Sequence, residues 1–474
     1  MKTTPDLTKT YSRRWLALAL LCTVRFIAVL DFSIVNVALP AIQKDLSFSQ
    51  QNLQWIISAY ALTYGGFLLL GGRATDLFGR RRVFMAGLGL FVLASLVGGL
   101  AQSQGVIVTA RAFQGLGAAI VSPAALSILT TTFSEGKERN RALSIWGAVA
   151  ASGFAAGVLL GGILTNWLNW RWVMFVNVPI GLVAIGCSPI VLSESREPTT
   201  ALHVDLAGAA TVTAGLVLLV YALVQAPEVG WITVATLVPG SGAIALLALF
   251  VLIESRSPTP LVPLEIFRIS TLTGANLVGA LLSAAVASMV FVMTLYMQQV
   301  LGYSALQTGL AFLPLALAAM IAAPITARLV SRLGVKYTLI LGMMAAMVGL
   351  LVLTGISVQG RFMRDILPGT VIVGLGSVTG LVTVTIAATS GVRERDQGLA
   401  SGLLNTSQQI GSAIGLAILV AVATVRTEAI IANTGNSAIA TTSGFQAALG
   451  VGAGFAALGI LVAVLMIRKS AISN

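Results

Sequence analysis

Charge is what this sequence has least of. Only 9% of its 474 residues are Asp, Glu, Lys or Arg, against about 25% in a soluble domain, so the folded chain has too few ionic groups to keep a surface in water. Histidine occurs once, at His203, which excludes a histidine metal cluster, and no metal site is expected. The two cysteines, Cys22 and Cys187, sit in apolar runs and make no disulfide framework. There is no G-x-x-x-x-G-K-[ST] phosphate loop. No interval between apolar runs exceeds about twenty residues, which leaves no room for a soluble catalytic or nucleotide-binding domain. An ATP-driven pump in one chain and a membrane enzyme built on His or Cys ligands are thereby excluded. Neither an enzymatic activity nor a cofactor is expected.

What the sequence has instead is apolar length. Hydrophobic residues make up 57% of it, and the mean hydropathy is +0.94. Fourteen apolar runs follow one another at 15–43, 52–72, 83–101, 105–133, 142–165, 172–192, 206–225, 232–253, 271–299, 306–327, 337–357, 366–391, 398–425 and 444–467. Each is close to or longer than the roughly 20 residues a membrane helix needs. The 49 glycines suit packed membrane helices, where small residues let backbones approach. Three charged residues fall inside the runs: Arg25, Asp31 and Arg111. With both termini on one side, that side carries 21 Lys and Arg and the other only five, Lys44, Arg171, Arg361, Arg364 and Arg426. The split predicts an even number of spans with both termini cytoplasmic. It also accounts for the net charge of +12 without a nucleic-acid partner. The segment Ser12-Arg13-Arg14-Trp15-Leu16 reads as a cytoplasmic flank to the first span rather than a cleaved twin-arginine signal.

The chain repeats itself at an offset of 255 residues: Arg73 with Arg328, Gly79 with Gly334, Gly147 with Gly402. The loop from Gly72 to Arg82 is echoed by Ala327 to Lys336. Repeated halves with a site at their interface near the midplane are a common transporter plan. The echo predicts an all-α membrane protein with a cytoplasmic tail at 1–14, a six-helix half at 15–192 and a linker at 193–270 that holds two extra helices. A second six-helix half follows at 271–467, then a tail at 468–474.

Five motifs then make a specific resemblance. The first span reads Leu30-Asp31-Phe32-Ser33-Ile34-Val35-Asn36-Val37-Ala38-Leu39-Pro40, and the second contains Leu53-Gln54-Trp55-Ile56-Ile57-Ser58-Ala59-Tyr60-Ala61-Leu62. With the Gly72–Arg82 loop, the run Arg111-Ala112-Phe113-Gln114-Gly115-Leu116-Gly117 and the glycines Gly153 to Gly162, these resemble the 14-span drug:proton antiporter branch of the major facilitator superfamily. The resemblance covers essentially the whole chain. It implies a monomer in a bacterial cytoplasmic membrane, whose two pseudo-symmetric halves rock around a central site to export lipophilic, cationic small molecules in exchange for protons. Two departures stand out. The family has proline after the central glycine of span five, where this chain has Val158 after Gly157. It also has an uncharged residue where Arg25 stands. An exporter of one endogenous metabolite, lipid or siderophore is the alternative within transporters. An uncoupled facilitator or a non-transporting sensor is the alternative outside antiport.

Asp31 is the candidate proton carrier on physical grounds, because an intramembrane acid costs about 2.5–3.5 kcal/mol on insertion scales and marks a pathway or relay by default. Arg111 is its expected partner by depth. Asp31 lies fifteen residues beyond Leu16, about 22 Å, and Arg111, on a span running the other way, lies about 9 Å from the far side, so both fall in the outer half. Arg25, six residues before Asp31, is rotated about 120° from it and is not expected to pair with it. By resemblance, Arg73, Asp76, Gly79 and Arg80 latch the cytoplasmic side, and Gly153, Gly157, Gly161 and Gly162 gate through span five. Substrate contacts are expected from Asn36, Tyr60, Tyr64, Met293, Asn405 and Gln409. Asn405 and Gln409 belong to a polar stripe of span thirteen, and Met293 to a methionine stripe of span nine.

Overall fold

The computed structural model describes residues 7–133, 136–195, 205–257, 260–390, 392 and 397–467, and every regular element among them is helical. The tails at 1–6 and 468–474 and the stretch 196–204 lie outside the described residues. The first group of helices is α1 (Leu7–Leu46), α2 (Trp55–Phe78), α3 (Arg80–Gly99), α4 (Gln104–Thr132), α5 (Lys137–Trp167) and α6 (Asn177–Val191). Two more follow, α7 (Leu206–Val229) and α8 (Val234–Arg256), and then α9 (Ser270–Leu295). Next comes one unbroken assignment, Ala305–Leu353, of 49 residues. That is about twice the length of a span, and it is interrupted at Gly334, whose φ of 79° is not helical. It is therefore two spans, α10 (305–333) and α11 (335–353). The last three are α12 (Leu367–Thr389), α13 (Gln397–Thr434) and α14 (Ser437–Met466). Among the described residues thirteen helices are long and apolar enough to cross a bilayer, and the break in the longest makes fourteen crossings, one for each apolar run. Side chains such as Ile232, Val234, Ile190 and Leu465 are more than 70% exposed, as befits helices whose outer faces meet lipid.

The repeat in the sequence is a repeat in the backbone. Gly79, between α2 and α3, has φ 97°, and Gly334 has φ 79°, so the same left-handed glycine turn joins spans two and three of each half. The position two beyond each glycine is also used alike. Arg81 Nη1 donates to the carbonyl of Leu192, at the end of α6, at 3.2 Å, and Lys336 Nζ donates to that of Val464, at the end of α14, at 2.6 Å. Each basic side chain satisfies a carbonyl that a helix C-terminus leaves free.

The extra helices lie between the halves in sequence but beside them in space. α7 packs on α2 and α13, with Leu216, Val220 and Val224 against Ala61, Leu62, Ala413 and Ala417. α8 packs on α7 and is the least buried of the spans.

The two halves join at the end of the bundle away from the termini. There Gln299 Nε2 donates to Gln43 Oε1 at 2.7 Å, and Gln298 Nε2 to the Val37 carbonyl at 2.9 Å. α5 and α10 cross there as well. A Cβ on Gly162 would lie 2.8 Å from the Ala305 carbonyl, and Gly309 packs on the carbonyl of Val158. The α5 stripe that makes this crossing continues toward the termini as Gly147 and Ser144, eleven and fourteen residues before Val158 and on the same face. Both are exposed, and a Cβ on Gly147 would meet nothing within 4 Å. The cleft between the halves is thus sealed at the far end and open on the side of the termini.

Candidate functional site

Asp31 and Arg111 meet as their depths predict. Arg111 Nη1 lies 2.6 Å from Asp31 Oδ2, and both side chains are fully buried. Three further polar residues complete the network. Gln114, one turn along α4 from Arg111, accepts from Arg111 Nη1 at 2.6 Å and donates to Asp31 Oδ1 at 2.7 Å. Asn177, at the first turn of α6, donates to the same Oδ1 at 2.8 Å. Ser95 on α3 accepts from Gln114 at 3.2 Å and Asn177 at 3.1 Å, and its hydroxyl donates to the Met174 carbonyl at 2.8 Å. Arg111 Nε donates to the Ile56 carbonyl at 3.0 Å, and its guanidinium carbon sits 4.5 Å from the centroid of the Tyr60 ring. A buried carboxylate is tolerable only when paired and hydrogen-bonded, and Asp31 accepts three donors while facing one cation.

Two features of this network are not legible in the sequence. Asp31 points into the six-helix half, toward α3, α4 and α6, and not into the cleft between the halves. The side-chain amide oxygen of Asn177, Oδ1, and Nη2 of Arg111 are buried with no hydrogen-bond partner among the described residues. Gln114 sits inside the motif that identifies Arg111, three residues on and so on the same helix face. Asn177 and Ser95 carry no such signal, since isolated polar residues are frequent in spans.

The glycines of α5 serve two neighbours. A Cβ on Gly153 would press on Phe26 and Val29, one on Gly157 would come 2.8 Å from the Leu30 carbonyl, and one on Gly161 would come 2.7 Å from that of Ile34. The four-residue spacing makes one groove for α1, while Gly162 faces α10. α5 runs as one helix of 31 residues with no proline inside it, and Val158 is fully buried.

At the Gly79 turn the loop engages its own half. Arg80 N donates to the Ser195 carbonyl at 3.1 Å, and its Nη1 to Ser195 Oγ at 3.2 Å. Glu194, which sequence reasoning missed, accepts from Arg81 N at 3.1 Å and stands 3.7 and 3.8 Å from the Arg81 and Arg82 Nε atoms. Its carboxylate caps the positive end of α3, and a Cβ on Gly79 would come 2.8 Å from it. Arg73 is exposed, and the side chain of Asp76 lies outside the described residues. A second tie missed in the sequence is at the far end, where Asp45 accepts from Arg171 Nη1 at 2.6 Å and Trp170 Nε1 at 2.9 Å.

The expected substrate contacts divide. The rings of Phe32, Tyr60 and Tyr64 follow one another at 6.5 and 5.9 Å, and Tyr64 Oη donates to Ser122 Oγ at 3.2 Å. Asn36 is buried and tied to the Phe32 carbonyl at 2.8 Å. On α13, Asn405 is exposed and Gln409 half-buried, where Thr406 bonds the Gly65 carbonyl of α2 at 3.1 Å. Met293 is fully buried among Met289 and Met297 in the core of the sealed end, away from the open part of the cleft.

The sequence profile of the Major Facilitator Superfamily matches residues 21–416. The chain belongs to this superfamily. It is 41% identical to the cephamycin export protein CmcT of Amycolatopsis lactamdurans, over 86% of this chain and 84% of that one. It is 39% identical to the puromycin resistance protein pur8 of Streptomyces alboniger (91% and 86%), and 36% to the multidrug resistance protein Stp of Mycobacterium tuberculosis (83% and 73%). The relatives are thus antibiotic export and drug resistance proteins, as the motifs imply. The fold is shared with solved structures. One is a bacterial homologue of the human lysosomal transporter Spinster, inward-facing and unoccupied, at TM-score 0.67 and 16% identity over 97% of this chain and 99% of that one. Another is the peptide transporter PepTSo, at TM-score 0.69 and 17% identity over 95% and 97%.

Proposed function

We propose that this protein is a proton-coupled multidrug efflux antiporter of a bacterial cytoplasmic membrane, with both termini cytoplasmic. It exports lipophilic small molecules by alternating access and acts as a monomer. The observation that carries the reading is the Asp31–Arg111 pair, fully buried within one rocking half. As a carboxylate, Asp31 binds Arg111 and ties α1 to α4. As an acid, it gives up most of that attraction and gains an O–H that needs an acceptor. The unpartnered side-chain amide oxygen of Asn177 supplies one once its amide turns over, so both protonation states have a hydrogen-bonded form. Switching between them changes how tightly α1 is held, and α1 is the helix on which the glycines of α5 ride. Protonation and the opening of the cleft are coupled through that contact.

The test is dye efflux from vesicles reconstituted with the full chain, under an imposed pH gradient. Wild type should drive efflux with the gradient, and Asp31→Asn should lose that dependence. Efflux that ignores both the gradient and the substitution would mark an uncoupled facilitator.

A further inference from the structure

Arg25 is the intramembrane charge that the coupling network leaves unused. Eighteen residues beyond it on α1, which is five full turns, stands Gln43, bonded to Gln299 of the opposite half. Phe32 and Asn36, seven and eleven residues on, lie within about 20° of the same direction. The face of α1 that carries Arg25 is therefore the face turned toward the second half. At the depth of Gln43 that face is sealed. At the depth of Arg25 the two halves still meet through α2 and α13, where a Cβ on Gly402 would lie 2.8 Å from Leu69, but on α1 the residues Arg25, Ala28, Val29 and Phe32 are only half-buried.

The guanidinium carbon of Arg25 lies 5.7 Å from the centroid of the Trp146 ring on α5. Its Nε is buried with no hydrogen-bond partner, and among the described residues no carboxylate pairs with it. Asp31, the acid on the same helix, is committed to Arg111, Gln114 and Asn177. A guanidinium cannot shed its proton at any accessible pH, so it cannot neutralise itself as a buried lysine does. A cation held in a half-dry cleft with unused donors favours an anion.

We propose that Arg25 selects the substrate, and that the cleft takes lipophilic small molecules bearing a carboxylate or sulfonate. The anionic group sits on the Arg25 fork, and the apolar body lies against Trp146 and Phe32. This rests on the efflux reading and replaces the preference for cations that the family resemblance implies.

The experiment uses the purified full chain in neutral detergent and calorimetric binding of three matched probes: 2-naphthylacetate, its methyl amide and the trimethylammonium analogue. Wild type should bind the acid about tenfold tighter than the ammonium probe, the scale of one charge-assisted contact. Arg25→Gln should abolish that preference. Arg25→Lys should keep part of it, because the charge stays while the planar fork is lost, and it decides the matter if Arg25→Gln does not remain monodisperse. A wild-type preference for the ammonium probe, or a preference unchanged by Arg25→Gln, overturns the inference alone. Displacement of the acid by added phosphatidylglycerol would make the anion a lipid headgroup and also overturn it. If none of the probes binds while the same preparation still drives dye efflux in vesicles, the inference falls and the efflux reading stands; if dye efflux fails as well, both fall.

Discussion

At the scale of single residues, the site depends on not leaving Asp31 alone. Removing one partner of a buried pair costs about 3–5 kcal/mol, because it strands a charge, while removing both can be nearly neutral. Arg111→Ala should therefore lower the detergent melting temperature markedly, and Asp31→Asn added to it should restore much of the loss. A double variant that melts no higher than Arg111→Ala would show that the pair is not what the neighbouring helices are built around. The pairing was legible because Asp31 is the one acid inside the runs, Arg111 is the one charge in its own span, and counting residues fixes their depths. Its surroundings were not. Rise per residue places a side chain along the membrane normal, but its direction around the helix depends on partners that the sequence does not name. That is why Asp31 faces α3, α4 and α6 instead of the cleft, and why Asn177 and Ser95 entered unannounced.

At the scale of helices, two glycines of α5 make opposite predictions. A methyl at Gly157 would meet the backbone carbonyl of Leu30 at 2.8 Å, which cannot move aside as a side chain can. Gly157→Ala should cost about 1–3 kcal/mol as overpacking does, and should reduce efflux by prising α1 from α5. Gly147→Ala meets open space and gains about 1 kcal/mol of helix propensity, so it should leave the melting temperature level or raise it. Equal effects at the two sites would remove the groove from the account. The 255-residue echo announced the Gly334 break inside what is otherwise one long helix. Which helix fills the groove, and that Glu194 caps α3, depend on contacts between segments distant in sequence.

At the scale of the molecule, the seal at the far end is the testable element. In a background with Cys22 and Cys187 replaced by alanine, Gln43→Cys and Gln299→Cys joined by a short thiol-to-thiol bridge should stop efflux, and cleaving the bridge should restore it. Continued efflux through the bridged protein would mean that these ends need not part. The number of spans and their alternation were legible because hydrocarbon thickness imposes a length on every crossing and loop charge imposes a direction. The place of α7 and α8 was not. Neither a span's hydropathy nor its order distinguishes lying between two bundles from lying against their shared flank.

The ties of Arg81 to α6 and of Lys336 to α14 have a mechanical consequence. Each fastens the last helix of a half to its third, so that each half closes on itself like a buckled strap and moves as one stiff piece. The work of switching then falls on the junction between the pieces, whose polar part is the pair of glutamine bonds at Gln298 and Gln299. Two such neutral bonds hold about 1–3 kcal/mol between them. A single proton descending a membrane potential of ~100 mV releases about 2.3 kcal/mol. On the proposed proton coupling, one proton carries an energy of the same order as those two bonds.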